Sequence, residues 1–188
     1  MSRDKLRVHI TGASGTGTTT LGVALADAMG LSHFDTDDFY WSREGAPYSA
    51  KAPVKMRLEL IGGALRKHPR SVLTGSFVSW GQPLTTWFDL VIFLRVPTET
   101  RLERLAARER ERFGDAIDPG GDRHDLYQAF MEWARGYDDG DGTSRSLVRH
   151  ESWLATLECP VLRLGDTSVE QRVEQVAAFV ESMRDVSE

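Results

Sequence analysis

The chain has 188 residues, a formal net charge of −5 and a single cysteine, Cys159. Its length suits one domain with a core large enough to need no disulfide, and a lone thiol cannot form an internal one. Interspersed charges give no electrostatic case for nucleic-acid binding, and the absence of a long apolar run predicts a cytoplasmic protein without a membrane span.

Apolar, β-prone runs alternate with amphipathic helical runs along the chain. The predicted strands cover residues 6–10, 32–35, 71–74, 90–94 and 160–164. The predicted helices cover residues 18–29, 53–67, 98–112, 125–137, 145–157 and 169–183. This alternation is typical of an α/β domain with a mainly parallel sheet, whose ligands bind beyond the carboxyl ends of the strands.

The first predicted strand leads into GASGTGTT, residues 12–19, and then into a helix. Gly12 and Gly17 match the spacing of the phosphate-binding pattern G-x-x-x-x-G-K-[ST], and Thr19 occupies its metal-binding hydroxyl position. Thr18 stands where this pattern has lysine. The predicted nucleotide-binding residues of this segment are Gly12, Ala13, Ser14, Gly15, Thr16, Gly17, Thr18, Thr19 and Thr20.

The missing lysine removes an attraction to phosphate of roughly 4 kcal/mol before desolvation, at a separation of about 4 Å and an effective dielectric constant of about 20. Backbone N–H groups of the loop and the helix N-terminus still attract phosphate. We therefore expect weaker nucleotide binding rather than none. Phosphoryl transfer depends more strongly on the lost charge.

The segment TGASGTG also resembles the glycine turn of dinucleotide-binding dehydrogenases, and the acids of residues 35–38 lie near the expected ribose-binding position. However, the third glycine is missing near Thr18 or Thr20, and no Tyr-x-x-x-Lys pair is present. Binding of NAD(P) is therefore the less favoured alternative. A plain glycine-rich turn is a further alternative.

Two stretches interrupt the alternation of strands and helices. A polar and aromatic stretch follows the second strand at 36–52, within an expected insertion at about 36–57. A glycine-containing stretch lies at 113–125, within an expected lid at about 108–125. Long loops in compact domains commonly serve as lids or binding loops. We expect an acceptor-side insertion and a lid within one domain over residues 1–188. Plain surface connections are the alternative.

Three later segments carry further signals. Polar residues follow predicted strands in HFDTDDFY and VLTGSF, and a predicted strand leads into an arginine-rich helix in VIFLRVPTETRLERLAARERERFGD. Together with the glycine loop, they make the chain resemble the nucleoside-monophosphate and shikimate kinase group of P-loop proteins. The resemblance implies a three-layer α/β fold with a five-stranded, mainly parallel sheet and a helical lid. It also implies ATP or another NTP with Mg²⁺, and phosphoryl transfer to a small polar acceptor.

The resemblance assigns roles to residues on the acceptor side. Asp35 would assist the metal beside Thr19, and Asp37 would orient the acceptor, although an acidic helix start also explains these carboxylates. Gly75 would let the acceptor approach the backbone. Arg57 is a candidate anion clamp or a solvated helix residue.

On the nucleotide side, the resemblance places a phosphate-binding arginine at Arg108, with Arg104 beside it. Arginines 101, 104, 108 and 112 fall roughly along one helix face, where like-charge neighbours are mildly destabilising. We predict that this row meets polyphosphate and supplies the charge that Thr18 lacks; a solvated face is the alternative. Asp166 and Thr167 would lie beside the base, or would cap the last helix.

Several aromatic, histidine and acidic residues lie outside these motifs. Trp41 and Trp80 follow the two acceptor-side strands, so either is a candidate wall of the acceptor pocket or a core residue. His150 is predicted to lie on a helix surface, and the acidic stretch at 138–142 to be a solvated turn. A nucleotide-binding sensor or slow NTPase without phosphotransfer is the alternative function, supported by Thr18.

Overall fold

A computed structural model describes residues 5–41, 50–140 and 145–185. In these residues five strands form one sheet in the order β2-β3-β1-β4-β5, and every neighbouring pair is parallel. The strands are β1 Leu6–Gly12, β2 Ser32–Asp35, β3 Arg70–Thr74, β4 Leu90–Leu94 and β5 Val161–Leu164. This architecture confirms the predicted α/β fold.

Helices separate the strands along the chain. They are α1 Thr18–Met29, α2 Asp37–Tyr40, α3 Val54–Lys67, α4 Thr98–Phe113, α5 His124–Arg135, α6 Leu147–Leu154 and α7 Val169–Asp185, with 3-10 helices at Gln82–Trp87 and Gly114–Ile117. Within the described ranges, no helix combines the length and apolar character needed to cross a membrane.

The sheet is covered on both faces. Strand β4 is buried along its whole length, which explains its continuous apolar sequence. On one face, α1 and α7 contribute Leu21, Leu25, Val176 and Val180 to a core cluster with β1 and β4. On the other face, α3 and α6 contribute Ile61, Leu65, Trp153 and Leu154. The result is a three-layer helix–sheet–helix arrangement.

The strand order places the ends of three strands side by side. Strand β3 lies between β1 and β2, whereas β1 and β2 are neighbours in the 3-2-1-4-5-6 order of dinucleotide-binding dehydrogenases. The dehydrogenase alternative therefore does not fit this sheet. Gly12, Asp35 and Thr74 end β1, β2 and β3 at the same edge.

The predicted insertion is described only in part. Residues 42–49 lie outside the described residues, as do Asp141 and Gly142 of the acidic stretch. Trp41 and Lys51 form an isolated antiparallel bridge, and the Ala52 amide donates to the Tyr40 carbonyl at 2.9 Å. These contacts join the described parts of the insertion on either side of residues 42–49.

Candidate functional site

The loop between β1 and α1 has the backbone form of a phosphate-binding loop. Gly15 and Gly17 adopt φ angles of 84° and 87°, in the left-handed region that favours glycine. The Thr16 hydroxyl donates to the Ala13 carbonyl at 2.8 Å and closes the loop. No side chain caps α1, and its first turn contains no acidic residue. Its first N–H groups are therefore free to bind an anion.

The carboxylate of Asp35 lies where α1, β2 and β3 meet. Its Oδ2 accepts hydrogen bonds from the Thr19 hydroxyl at 2.8 Å and from the Thr74 hydroxyl at 2.7 Å. Its Oδ1 accepts from the backbone N–H of Asp37 at 3.0 Å. Thr19 and Asp35 are the two residues that the sequence analysis assigns to a metal, and we call this pair the metal corner.

The metal corner fits Mg²⁺ better than a cation that needs a full protein cage. Across the described residues, no group of three or more His, Cys, Asp or Glu side chains could hold a metal ion. Mg²⁺ usually keeps several waters and binds one or two carboxylates together with substrate phosphates. One carboxylate and one hydroxyl beside a phosphate loop match that requirement.

A cavity of about 550 Å³ opens next to the metal corner, and we call it the acceptor-side cavity. Its lining residues are Asp37, Tyr40, Trp41, Lys51, Ser76, Val78, Ser79, Trp80, Trp133, Arg145, Ser146, Arg149 and His150. Trp41 and Trp80 both belong to the wall. Aromatic faces, several cationic groups and one carboxylate therefore surround the same space.

Asp37 starts α2 and faces this cavity. Partial desolvation raises the pKa of its carboxyl group, although the residue keeps access to solvent, and the neighbouring Asp35 carboxylate raises it further. Arg145 and Arg108 act in the opposite direction. Both arginines are therefore close enough to Asp37 to interact electrostatically with it.

The prediction of a surface position for His150 is wrong, because this residue is only 1% exposed. Its Nε2 lies 3.2 Å from the Thr11 hydroxyl and 3.3 Å from the Ser76 hydroxyl, and its Nδ1 lies 2.8 Å from the Tyr137 hydroxyl. Burial, followed by the positive charge of Arg145, lowers the pKa of His150 to about 3. A neutral imidazole on α6 thus contacts β1, the segment after β3 and the segment after α5 at the wall of the cavity.

Arg57 lies behind the cavity wall. It is 5% exposed, and its Nε donates to the Ala52 carbonyl at 2.6 Å. Its guanidinium carbon lies 4.1 Å from the ring centroid of Tyr40 and 5.2 Å from that of Trp80. Arg57 is thus not a solvated helix residue, and in this conformation it supports two aromatic rings of the wall.

Gly75 follows β3 with a φ angle of 102°. Its N–H donates to the Ile10 carbonyl at 3.0 Å. A Cβ atom at this position would collide with the Thr36 hydroxyl. The glycine therefore allows the chain after β3 to pass close to the turn that carries Asp35 and Asp37.

The arginines of α4 do not form one continuous surface row. Arg101 is buried and pairs with Asp138 at 2.9 Å. Arg104 pairs with Asp166 at 2.8 Å, and Arg108 pairs with Glu109 at 3.0 Å while its side chain is 56% exposed. Arg101 is therefore a buried structural residue, whereas Arg104 and Arg108 lie at the surface of α4.

Asp166 links the last loop to the glycine loop. Besides Arg104, it accepts a hydrogen bond from Arg172 at 3.2 Å, and Arg172 also donates to the Thr16 carbonyl at 3.3 Å. The Thr167 N–H donates to the Gly165 carbonyl at 3.2 Å. Asp166 and Thr167 follow β5, the edge strand opposite β2, and none of Arg104, Asp166 and Thr167 is among the lining residues of the acceptor-side cavity given above.

The segment between α4 and α5 is held together by contacts among neighbouring residues. Arg110 pairs with Asp118, and the Arg123 N–H donates to the Ala116 carbonyl at 3.0 Å. The guanidinium of Arg123 lies 4.3 Å from the Phe113 ring. His124, the first residue of α5, contacts this segment: its Nδ1 is 3.0 Å from the Ile117 carbonyl oxygen.

The sheet order, the glycine loop and the metal corner together define a P-loop NTPase of the kinase-like group. A family model described as an AAA domain matches residues 8–118, and the chain belongs to that family. A protein of Bacillus subtilis (strain 168), described as uncharacterized protein YqaC, is 40% identical over 179 residues. That match covers 95% of this chain and 99% of the relative.

Solved structures share the fold over nearly the full chain. Shikimate kinase from Acinetobacter baumannii in complex with shikimate has a TM-score of 0.58 at 15% identity and covers 96% of this chain and 95% of its own. A putative kinase from Chloroflexus aurantiacus j-10-fl has a TM-score of 0.57 at 21% identity, with 95% and 97% covered. A sugar kinase from Janibacter sp. HTCC2649 has a TM-score of 0.52 at 19% identity, with 94% and 95% covered.

Proposed function

We propose that this protein binds ATP or another NTP together with Mg²⁺ and transfers the terminal phosphoryl group to a small polar acceptor. One observation carries the proposal: Asp35 accepts from Thr19 of the phosphate loop, while Asp37, two residues later, lines the acceptor-side cavity. A phosphate site, a metal corner and an acceptor site are therefore adjacent at one edge of the sheet.

Each part has a role in this proposal. The N–H groups of residues 12–20 hold the nucleotide phosphates, and Thr19 and Asp35 hold Mg²⁺ directly or through water. When bound, Mg²⁺ neutralises charge on the phosphate oxygens during transfer. Arg108 approaches the phosphates from a lid at about 108–125, and Arg104, Asp166 and Thr167 lie on the base side.

Asp37 orients the acceptor hydroxyl and accepts its proton. The hydroxyl oxygen forms a bond to the terminal phosphorus, while the bond from that phosphorus to the bridging oxygen breaks. A carboxylate with a raised pKa is the better proton acceptor, because general-base catalysis improves as the pKa approaches the working pH. Asp37 thus combines positioning with proton transfer.

The cavity suits an acceptor with an anionic group as well as a hydroxyl group. Lys51 and Arg149 supply positive charge, and the aromatic wall supplies a flat apolar face. Arg57 holds the ring of Tyr40 in that wall. Gly75 leaves room for backbone and acceptor to approach each other at the end of β3.

Calorimetric titration of the protein with ATP and with a non-hydrolysable analogue, with and without MgCl2, tests the nucleotide site. Magnesium-dependent binding is the expected result. A panel of sugars, nucleosides, nucleoside monophosphates and hydroxy acids, followed by ADP release, then tests transfer. If neither ATP nor the analogue binds to the protein, the proposal is refuted.

Thr18 supports a second candidate function, a nucleotide-binding sensor or slow NTPase. The lysine that normally neutralises the transferred phosphate is absent from α1. Under this alternative, ATP binds with Mg²⁺, but no acceptor accelerates ADP release above the rate in buffer. The same acceptor panel therefore separates the two functions.

A further inference from the structure

The glycine loop is surrounded by arginines although it lacks its own lysine. Three described arginines donate hydrogen bonds to the loop. Arg101 reaches the Ser14 carbonyl at 3.5 Å, and Arg172 reaches the Thr16 carbonyl at 3.3 Å. Arg145 instead reaches the Ser14 side-chain hydroxyl at 3.2 Å.

Two of these arginines are committed to structural partners. Arg101 is 1% exposed and is neutralised by Asp138, with further hydrogen bonds to the Val96 and Ala134 carbonyls. Arg172 shares the carboxylate of Asp166 with Arg104, and it donates twice to the Gly165 carbonyl, at 3.0 and 2.7 Å. Because each of them contacts a carboxylate and donates to backbone carbonyls, both are held in place by contacts within the fold.

The exposed arginines of α4 are paired as well. Arg104 lies against Asp166, and Arg108 lies against Glu109 of its own helix. The pair with Glu109 is exposed, because the Arg108 side chain is 56% exposed. Both arginines therefore have a carboxylate partner in this conformation.

Arg145 has a different environment. Among the residues described by the structure, no carboxylate lies within ion-pair distance of its guanidinium, and the acids that attract it most strongly are Asp37 and then Asp35. It lines the acceptor-side cavity and contacts the glycine loop at the same time. Burial lowers its pKa, but an arginine begins from a pKa so high that the group stays charged at neutral pH.

We propose that Arg145 supplies the positive charge that Thr18 does not, by binding the terminal phosphate of the nucleotide from the acceptor side of the loop. This inference rests on the proposed nucleotide site. The usual lysine reaches the phosphates from the first turn of α1, whereas Arg145 reaches them from the segment before α6. The same guanidinium then lies between the terminal phosphate, the metal corner and Asp37. Arg145 would thus contact both the nucleotide and the acceptor.

The first test compares the binding of Mg-ATP and ADP to the unmutated protein, Arg145→Gln and the control Arg135→Gln. Arg135 is an exposed arginine at the end of α5, so its substitution changes the net charge equally. Losing a charged hydrogen-bond donor is expected to weaken Mg-ATP binding about 10- to 100-fold in Arg145→Gln, with a smaller effect on ADP. Arg135→Gln should bind as the unmutated protein does.

The second test introduces at position 18 the lysine that the phosphate-binding pattern normally has. If Arg145 stands in for lysine, Thr18→Lys restores Mg-ATP affinity in the Arg145→Gln background to within about threefold, yet gives little gain in the unmutated background. Arg145→Lys keeps the charge and should retain most of the affinity. Circular dichroism and melting temperature show that each variant folds.

Two outcomes would overturn the inference about Arg145 and leave the proposed function standing. In the first, Arg145→Gln binds Mg-ATP as tightly as the unmutated protein while an acceptor still binds more weakly. In the second, Thr18→Lys improves binding equally in both backgrounds, which means that the two positions do not share a role. If the unmutated protein itself binds no nucleotide, the proposed function fails, and the inference fails with it.

Discussion

At the scale of single residues, the two carboxylates after β2 have separate environments. Asp35 accepts three hydrogen bonds from Thr19, Thr74 and the Asp37 backbone. The pKa of Asp37 is raised by partial desolvation and by Asp35. Carboxylates whose environments differ in this way commonly divide the work of a site, one holding charge and the other exchanging protons.

This division predicts the effect of Asp37→Asn. The amide keeps the size of the side chain but cannot accept a proton, so ADP release with a working acceptor should fall by about 10²-fold or more. Mg-ATP affinity should stay within about threefold, because the metal corner is intact. Asp38→Asn is the matched control and should leave both quantities unchanged; equal losses in the two variants would contradict the role of Asp37.

The sequence could predict the position of residues whose contacts are with near neighbours in the chain. It could not predict the contacts of residues whose partners are distant in the chain. The spacing of Gly12, Gly17 and Thr19 predicted the phosphate loop. Arg145 contacts Ser14 across 131 residues, and His150 contacts Thr11 across 139 residues. No pattern within a short window carries those contacts. The helical spacing of His150 with Trp153 and Leu154 is a local signal that places all three on the buried face of α6.

At the scale of elements, the β1–α1 turn packs tightly against α4. A Cβ atom on Gly15 would lie 2.7 Å from the Arg101 carbonyl oxygen and 3.1 Å from the Leu105 side chain. A Cβ atom on Gly17 would have Arg172 as its nearest contact, at 3.8 Å. Both glycines have positive φ angles, but only Gly15 also lacks space.

Alanine at these two positions should therefore separate backbone strain from collision. Gly17→Ala should lower the free energy of unfolding by about 1–2 kcal/mol, the cost of a left-handed alanine. Gly15→Ala should cost at least about 1 kcal/mol more, because α4 must move away from the loop. Urea denaturation at pH 7 measures both. Equal losses would mean that the loop yields without disturbing α4.

Arg101 joins α4 to the end of α5 and to the glycine loop through Ala134, Asp138 and Ser14. Removing it leaves Asp138 without its closest cation and leaves buried carbonyl groups without donors. Arg101→Ala should thus lower the free energy of unfolding by about 3 kcal/mol. Arg104→Ala, which removes an exposed ion pair, should cost less than about 1 kcal/mol. Similar costs would contradict the structural role of Arg101.

The strands and the long helices agreed with the sequence patterns more closely than the short helices did. The predicted bounds of α1 and the predicted β2 and β4 coincide with the structure. Helix α2 has four residues, and the 3-10 helices Gln82–Trp87 and Gly114–Ile117 have six and four. Segments this short do not complete enough turns to show a hydrophobic period, and their geometry depends on tertiary contacts.

At the scale of the whole molecule, two buried histidines link stability to pH. His9 lies in the centre of β1, where burial lowers its pKa to about 3, and His150 behaves in the same way on α6. His9 packs 4.2 Å from the Phe77 ring, and its Nδ1 lies 2.9 Å from the Leu73 carbonyl oxygen. Both imidazoles are therefore neutral in the folded protein well below the pH at which they protonate in the unfolded chain.

The sign of the pH dependence follows from proton counts. Below about pH 6.5 the unfolded chain binds two protons that the folded protein does not bind until about pH 3, so stability falls as the pH falls through this range. Each histidine should remove about 2 kcal/mol between about pH 7 and pH 5, or about 4 kcal/mol together. The raised pKa of Asp37 acts in the opposite direction, at more acidic pH near the ordinary carboxyl range.

Urea unfolding at pH 7, 6 and 5 measures this loss. His9→Phe removes one titrating group from the aromatic core and should reduce the loss to about half, whatever it does to stability at pH 7. The exposed His68 offers a control position, and the loss in His68→Gln is measured beside the loss in His9→Phe. A loss that is the same in His9→Phe as in the unmutated protein would mean that His9 is protonated in the fold. The β1 core would then have to contain a charge that its aromatic neighbours cannot balance.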